Sequence, residues 1–250
     1  MSPDCSRNLL QDPEGWGVLP QCLLDAGYVV FAVAHSTQPR YTIEDLRPDL
    51  PRAARFIRHY AERFRIDPGR LGIVGGSSGG HVSLMTGLAP PAPVLDAADP
   101  VDRESSEVQA VVAYFPPTDL LNYGSPGVTM LESHGSKRAA PLDFRRFDEV
   151  SGRYERITDA AGLQDCYRRN SPITHVRADN PPVLLIHGDR DDLVPLSQSE
   201  ILRDRLQASG VANKLVVLAG HGHAWPPMGH GQQDVVDWFG RYLGTDCRIG

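Results

Sequence analysis

The stretch Leu71-Gly72-Ile73-Val74-Gly75-Gly76-Ser77-Ser78-Gly79-Gly80-His81 carries the first chemical signal. A serine set among glycines as Gly-x-Ser-x-Gly is placed to act as a nucleophile, provided a base takes its proton. The pattern fits twice, over 75–79 and over 76–80. The first frame, centred on Ser77, puts the turn directly after the apolar run and is preferred; Ser78 is the alternative. A buried strand over 71–74, a sharp turn and a helix from about His81 would hold the serine in strained backbone angles, its hydroxyl clear of the sheet. Side chains two residues to either side would collide in such a turn, which accounts for Gly75 and Gly79. The following helix aims its N-terminal N–H groups at the place where an oxyanion would form. A phosphate-binding loop has the same outline, but no lysine follows the glycines and the dinucleotide spacing is absent.

The base itself needs an anionic partner to hold its tautomer. Two later loops supply both, in order. After Val183–Ile186 comes His187-Gly188-Asp189-Arg190-Asp191-Asp192-Leu193-Val194-Pro195, and after Lys214–Leu218 comes Gly220-His221-Gly222-His223-Ala224-Trp225. Asp189, Asp191 and Asp192 are candidate acids; His221 and His223 are candidate bases. Both loops fall at the carboxyl ends of expected strands, where parallel sheets keep their sites. The aspartates lack the bidentate glutamate of a calcium loop. His221, His223 and His230 are close in sequence, but no carboxylate or cysteine pattern makes them a zinc site. No metal is therefore expected. His35, His59, His81, His134 and His175 follow no pattern and are expected at the surface or in the core.

The elements that must position these loops alternate between strand and helix. Trp16 to Asp25 reads as a helix stopped by Gly27. Tyr28 to Ala34 is apolar without alternation, the mark of a strand buried on both faces. Pro48 and Pro51 suit a helix start, after which Ala53, Ala54, Ile57, Tyr60, Ala61 and Phe64 recur at helical spacing. Asp67-Pro68-Gly69 is a turn, 89–107 a loop, and Val108 to Phe115 another buried strand. Residues 118–180 are polar and irregular, with Tyr123, His134, Phe144, Phe147 and Tyr154 dispersed through them, and read as a lid over a site. Ser197 to Ala208 is an amphipathic helix with Ile201, Leu202 and Leu206 inward and Gly210 at its end; Asp234 to Leu243 is the last helix. The class is α/β, a mostly parallel sheet covered on both faces, in a single domain over 1–250.

Composition narrows the partners. A content of 41% hydrophobic and 22% charged residues is that of an ordinary globular protein. A net charge of -6 argues against nucleic acid or an anionic membrane as partner, and no run is long enough to span a bilayer. Residues 1–15 are polar and make no signal peptide, and Cys5, Cys22, Cys166 and Cys247 form no Cys-x-x-Cys. As written the chain reads as cytoplasmic; export stays open if sequence precedes it.

With three loops in place, the chain from about Trp16 to Leu243 resembles the single-domain esterases of the α/β-hydrolase superfamily. The nearest group is the prolyl-oligopeptidase-like one that includes acetyl-xylan and feruloyl esterases. The matching stretches are 67–73, 75–81, Ser171-Pro172-Ile173-Thr174-His175-Val176, His187-Gly188-Asp189-Arg190-Asp191 with Val194-Pro195, and Gly222-His223-Ala224-Trp225. The resemblance implies Ser77 as nucleophile, Asp191 as acid, His223 as base, an acyl-serine intermediate, no cofactor and a small-molecule ester substrate. These esterases carry His-Gly-Gly-Gly on a strand upstream of the first helix, whose N–H groups complete the oxyanion hole. Nothing before Trp16 reads as that strand, so the Ser78 backbone N–H is the remaining donor, with Gly15 and Gly17 poor substitutes. The expectation is a serine carboxylester hydrolase acting weakly on short-chain or carbohydrate-linked acyl esters. Without that strand, 28–34 would lie at a sheet edge and favour a homodimer. A binding protein on a hydrolase scaffold is one alternative. A prolyl-oligopeptidase-like peptidase is another, but the chain is too short to hold a propeller.

Overall fold

The structure, a computed structural model, describes residues 18–36, 41–135, 142–223 and 231–244. In chain order it contains helices α1 (Val18–Asp25), α2 (Asp49–His59) and α3 (Ala61–Phe64), strand β1 (Gly72–Gly76), helix α4 (Ser78–Leu88) and strand β2 (Ala110–Tyr114). Helix α5 (Met130–His134), strands β3 (Arg145–Asp148) and β4 (Arg153–Arg156) and helix α6 (Ala160–Arg169) follow. Strand β5 (Val183–Gly188), helix α7 (Ser197–Ala208), strand β6 (Asn213–Leu218) and helix α8 (Gln232–Leu243) complete it. Strands β1, β2, β5 and β6 lie side by side in that order, all parallel, while β3 and β4 pair as a separate antiparallel hairpin.

Parallel neighbours need long crossovers, and these place helices on both faces of the sheet. Successive strand residues point to opposite faces. Val112, Tyr114, Leu184 and Ile186 therefore meet Leu19 and Leu23 of α1 and Val235, Trp238 and Phe239 of α8. Val111, Ala113, Val183 and Leu185 meet Leu84 and Leu88 of α4 and Leu202 and Leu206 of α7. Strands β2 and β5 are buried throughout, as their unbroken apolar runs predict. Truncating Leu202 or Leu206, both fully buried, would cost about 2–5 kcal/mol. A third cluster seats the 118–180 segment: Leu120, Phe144, Ile157 and Tyr167 pack with Leu46, Leu50 and Val82.

Four expectations need correction. Tyr28 to Ala34 is not a strand, and Val29 and Val33 are 53% and 44% exposed. An apolar run of that kind needs a strand to pair with, and among the described residues β1 pairs with β2 alone. The run is held instead by side chains: Tyr28 and Val30 pack on the first cluster, and Phe31 sits edge-on to Phe64 at 4.9 Å. For the same reason β1 is half-buried rather than buried. The helix expected from Pro48 to Phe64 breaks at Tyr60 (φ −102°, ψ 23°) into α2 and α3. Segment 118–180 is not irregular: α5 begins with a capping box between Thr129 and Glu132, and the Asp159 side chain caps α6 by accepting from the Gly162 N–H. Of its aromatics, Tyr123 and Phe144 are core residues, while Phe147 and Tyr154 form an exposed pair across the hairpin. Cys5, Gly15, Trp16, Gly17, Ala224, Trp225, His230 and Cys247 lie outside the described residues.

Candidate active site

Strand β1 ends at Gly76 and α4 begins at Ser78, so Ser77 is the whole of the turn between them. Its backbone sits at φ 55°, ψ −121°, a conformation that an L-residue adopts only when its surroundings enforce it. The enforcement is visible: the Ser77 N–H donates to the Tyr114 carbonyl at 2.9 Å, and the Ser77 carbonyl accepts from the His81 N–H at 3.0 Å. A Cβ on Gly75 would stand 2.4 Å from the Gly79 carbonyl oxygen, whereas one on Gly79 would meet open space. The steric reason offered for Gly79 is thus wrong. The second crowded position is Gly80, where a Cβ would come within 3.0 Å of the Tyr114 carbonyl oxygen.

The acid and base loops follow β5 and β6 and are stitched together. The Arg190 N–H donates to the His221 carbonyl at 2.9 Å, and the Gly220 N–H donates to Asp189 Oδ1 at 2.6 Å. Asp189 is therefore occupied in holding the loops, and Asp192 is exposed. A Cβ on Gly188 would lie 2.2 Å from the His221 carbonyl oxygen, so the strand end that launches the acid loop must be bare. His221 turns its Nδ1 to the Ala219 carbonyl at 2.9 Å, and His223 is the imidazole that reaches the serine.

Ser77 Oγ lies 3.0 Å from His223 Nε2, and His223 Nδ1 lies 2.8 Å from Asp191 Oδ2. The carboxylate can only accept, so Nδ1 carries the hydrogen and Nε2 is left as the acceptor for the Ser77 hydroxyl. The Asp191 side chain is wholly buried. Burial alone would push its carboxyl up, but hydrogen bonds from His187, His223 and the Val194 N–H outweigh that and hold it well below the ordinary carboxylate range. Its Oδ1 accepts from the Leu193 N–H at 2.9 Å and the Val194 N–H at 2.8 Å. Ser78 is the first residue of α4, so its N–H has no acceptor within the helix and is free for a ligand oxygen.

Three residues with no assigned role also border this chain. Phe115, at φ 38°, sets its ring edge-on to His223 with centroids 4.6 Å apart. His35 Nε2 lies 3.5 Å from Ser78 Oγ. His187, fully buried, lies 3.4 Å from Asp191 Oδ2. Their signal in the sequence is position: each stands at the carboxyl end of an apolar run, the side on which a parallel sheet gathers its site. Among the described residues no three His, Cys, Asp or Glu side chains gather as a metal site, and no helix is long and apolar enough to cross a membrane.

The family model BD-FAE matches residues 11–206. Probable carboxylic ester hydrolase LipM of Mycobacterium tuberculosis is 28% identical over 185 residues, covering 74% of this chain and 39% of that protein. Isoprenylcysteine alpha-carbonyl methylesterase ICME of Arabidopsis thaliana is 25% identical over 230 residues, covering 90% of this chain and 51% of that one. The chain thus spans about half or less of the length of these curated relatives. A truncated form of a carbohydrate esterase from gut microbiota superposes with a TM-score of 0.71 at 25% identity, covering 90% of this chain and 78% of that one. Esterase Est2 of Thermogutta terrifontis gives 0.64 at 22% identity, covering 92% and 77%, a likeness of fold.

Proposed function

This chain belongs to the BD-FAE family and has the α/β-hydrolase fold, and from that premise we propose that it is a serine carboxylester hydrolase. Its substrates are short-chain or carbohydrate-linked acyl esters. The observation that carries this reading is the unbroken hydrogen-bonded chain Ser77–His223–Asp191. Ser77 Oγ attacks the acyl carbonyl carbon as His223 Nε2 takes its proton, and the carbonyl electrons move onto oxygen. The Ser78 N–H stabilises that oxyanion, and Asp191 stabilises the imidazolium. Collapse expels the alcohol, which receives the proton from His223. Water, deprotonated by His223, then attacks the acyl-serine; the acid leaves and Ser77 regains its hydrogen.

Segment 118–180 acts as a lid in this proposal, and its polar character favours short or sugar-linked groups over long lipids. The likeness to a carbohydrate esterase supports the sugar-linked alcohol. A chain-length series of p-nitrophenyl esters tests the preference: turnover should peak at acetate to butyrate and vanish in Ser77→Ala. A peak at long chains would contradict it.

One observation favours a second reading, a hydrolase fold used mainly for binding. β1 has an open edge, and the Ser78 N–H is the one oxyanion donor identified among the described residues. A hole with one donor would turn over slower by on the order of 10²–10³ than one with two, and on this second reading the activity is weak. The same open edge, together with the exposure of Val29 and Val33, supports a homodimer formed by association of apolar surface.

A further inference from the structure

His187 lies buried beside the Asp191 carboxylate, and the proton relay just described makes no use of it. It is fully buried, as is the Asp191 side chain. Every polar atom of its ring is engaged: Nδ1 lies 2.7 Å from Ser199 Oγ, and Nε2 lies 2.9 Å from the Val194 carbonyl and 3.4 Å from Asp191 Oδ2. A carbonyl can only accept, so Nε2 carries a hydrogen that it donates to the Val194 carbonyl, and the same N–H stands 3.4 Å from the Asp191 carboxylate. Asp191 Oδ2 is also the oxygen that accepts from His223 Nδ1. The other polar groups nearby are committed elsewhere. Asp189 binds the Gly220 N–H, the Tyr123 hydroxyl donates to the Leu193 carbonyl, His221 binds the Ala219 carbonyl, and Asp192 is exposed.

We propose that His187 is a positioning residue for the ester hydrolase: a second imidazole that shares the Asp191 oxygen with His223, and so tempers how strongly that carboxylate draws the His223 proton. The inference rests on the ester-hydrolase reading for its kinetic consequence, but not for the contact itself. A donor to a carboxylate stabilises its charge and weakens its pull on other donors. Removing the His187 donor leaves Asp191 a stronger partner for the His223 imidazolium. The rate then needs a higher pH to reach its plateau. Ser199 and Val194 fix the ring at its two ends, so its orientation is set before any substrate arrives.

The test compares the pH profile of kcat/KM on p-nitrophenyl acetate for wild type, His187→Leu and His187→Gln. The Leu variant removes the donor, whereas the Gln amide restores an N–H close to the position of Nε2. The acid limb should move upward by roughly half to one pH unit in His187→Leu and return in His187→Gln. A residue with only a structural role would lower kcat/KM and leave the limb in place; that result overturns the proposal. A second measurement needs neither activity nor a change at 187. The Nε2–H resonance of His187 in ¹⁵N-histidine-labelled protein should move in Asp191→Asn, and an unmoved signal overturns the shared contact. An inactive wild type would fault the ester-hydrolase reading, with the resonance still deciding the contact.

Discussion

Ser77 and His81, four residues apart, show how differently one turn and one helix can treat polar side chains. Ser77 keeps its strained φ of 55° because neighbours on both sides fix its backbone, at a cost of about 1–3 kcal/mol. His81 points inward and is almost wholly buried. Its Nδ1–H donates to the Pro117 carbonyl at 3.1 Å, and burial pushes the imidazole down from 6.5 to about 4. The sign of the linkage follows. A folded-state value below the unfolded one gives stability that is full above about pH 6.5 and is lost as pH falls towards about 4. Urea midpoints should fall through that window, and His81→Gln should flatten the fall; equal slopes in both proteins would contradict this. The frame favours Ser77 but leaves Ser78 open, and the resemblance chooses between them. Asp191 and His223 are no more legible, because spacing leaves three aspartates and two histidines in play and only the resemblance separates them. What distinguishes them physically is contact: Asp189 stitches loops and His221 turns to its own backbone, and no one-dimensional pattern records either.

At the scale of elements, the close approach of the turn to α4 is set by Gly75, not by Gly79. Gly75→Ala would drive a Cβ to 2.4 Å from a backbone oxygen, while Gly79→Ala meets no atom within 4 Å. The first should lose most activity and shift the melting temperature down by several degrees, as expected for a clash with rigid backbone; the second should keep the fold and most of the activity. Equal losses, measured by thermal unfolding and ester turnover, would contradict the assignment. The long elements were legible: β2 and β5 as unbroken apolar runs buried on both faces, α7 and α8 as helices with one buried face. Tyr28 to Ala34 failed because apolarity states what a segment would bury, not whether a neighbour is there to bury it. Segment 118–180 failed for the opposite reason. Helices as short as α5 and strands as short as β3 and β4 hold too few residues for a period, and only the Thr129-x-x-Glu132 capping box marks one of them.

At the scale of the whole molecule, the sheet built by the described residues is closed at neither end, and β1 is its edge beside the nucleophile. An unpaired edge is a template for association, and exposed apolar residues such as Val29 and Val33 add to it. Size-exclusion chromatography over a concentration series should show a dimer that Val29→Lys with Val33→Lys disfavours; a monomer at every concentration would contradict the homodimer. The central claim is narrower: the sheet brings together one reactive serine with its base. Labelling with a fluorophosphonate probe tests it most directly, because the probe phosphonylates an activated serine and releases fluoride. Wild type, Ser78→Ala and His221→Ala should each take up one label, mapped to Ser77 by peptide mass, and Ser77→Ala and His223→Ala should take up none. Folded wild-type protein that stays unlabelled, or a label that maps to Ser78, would contradict the account.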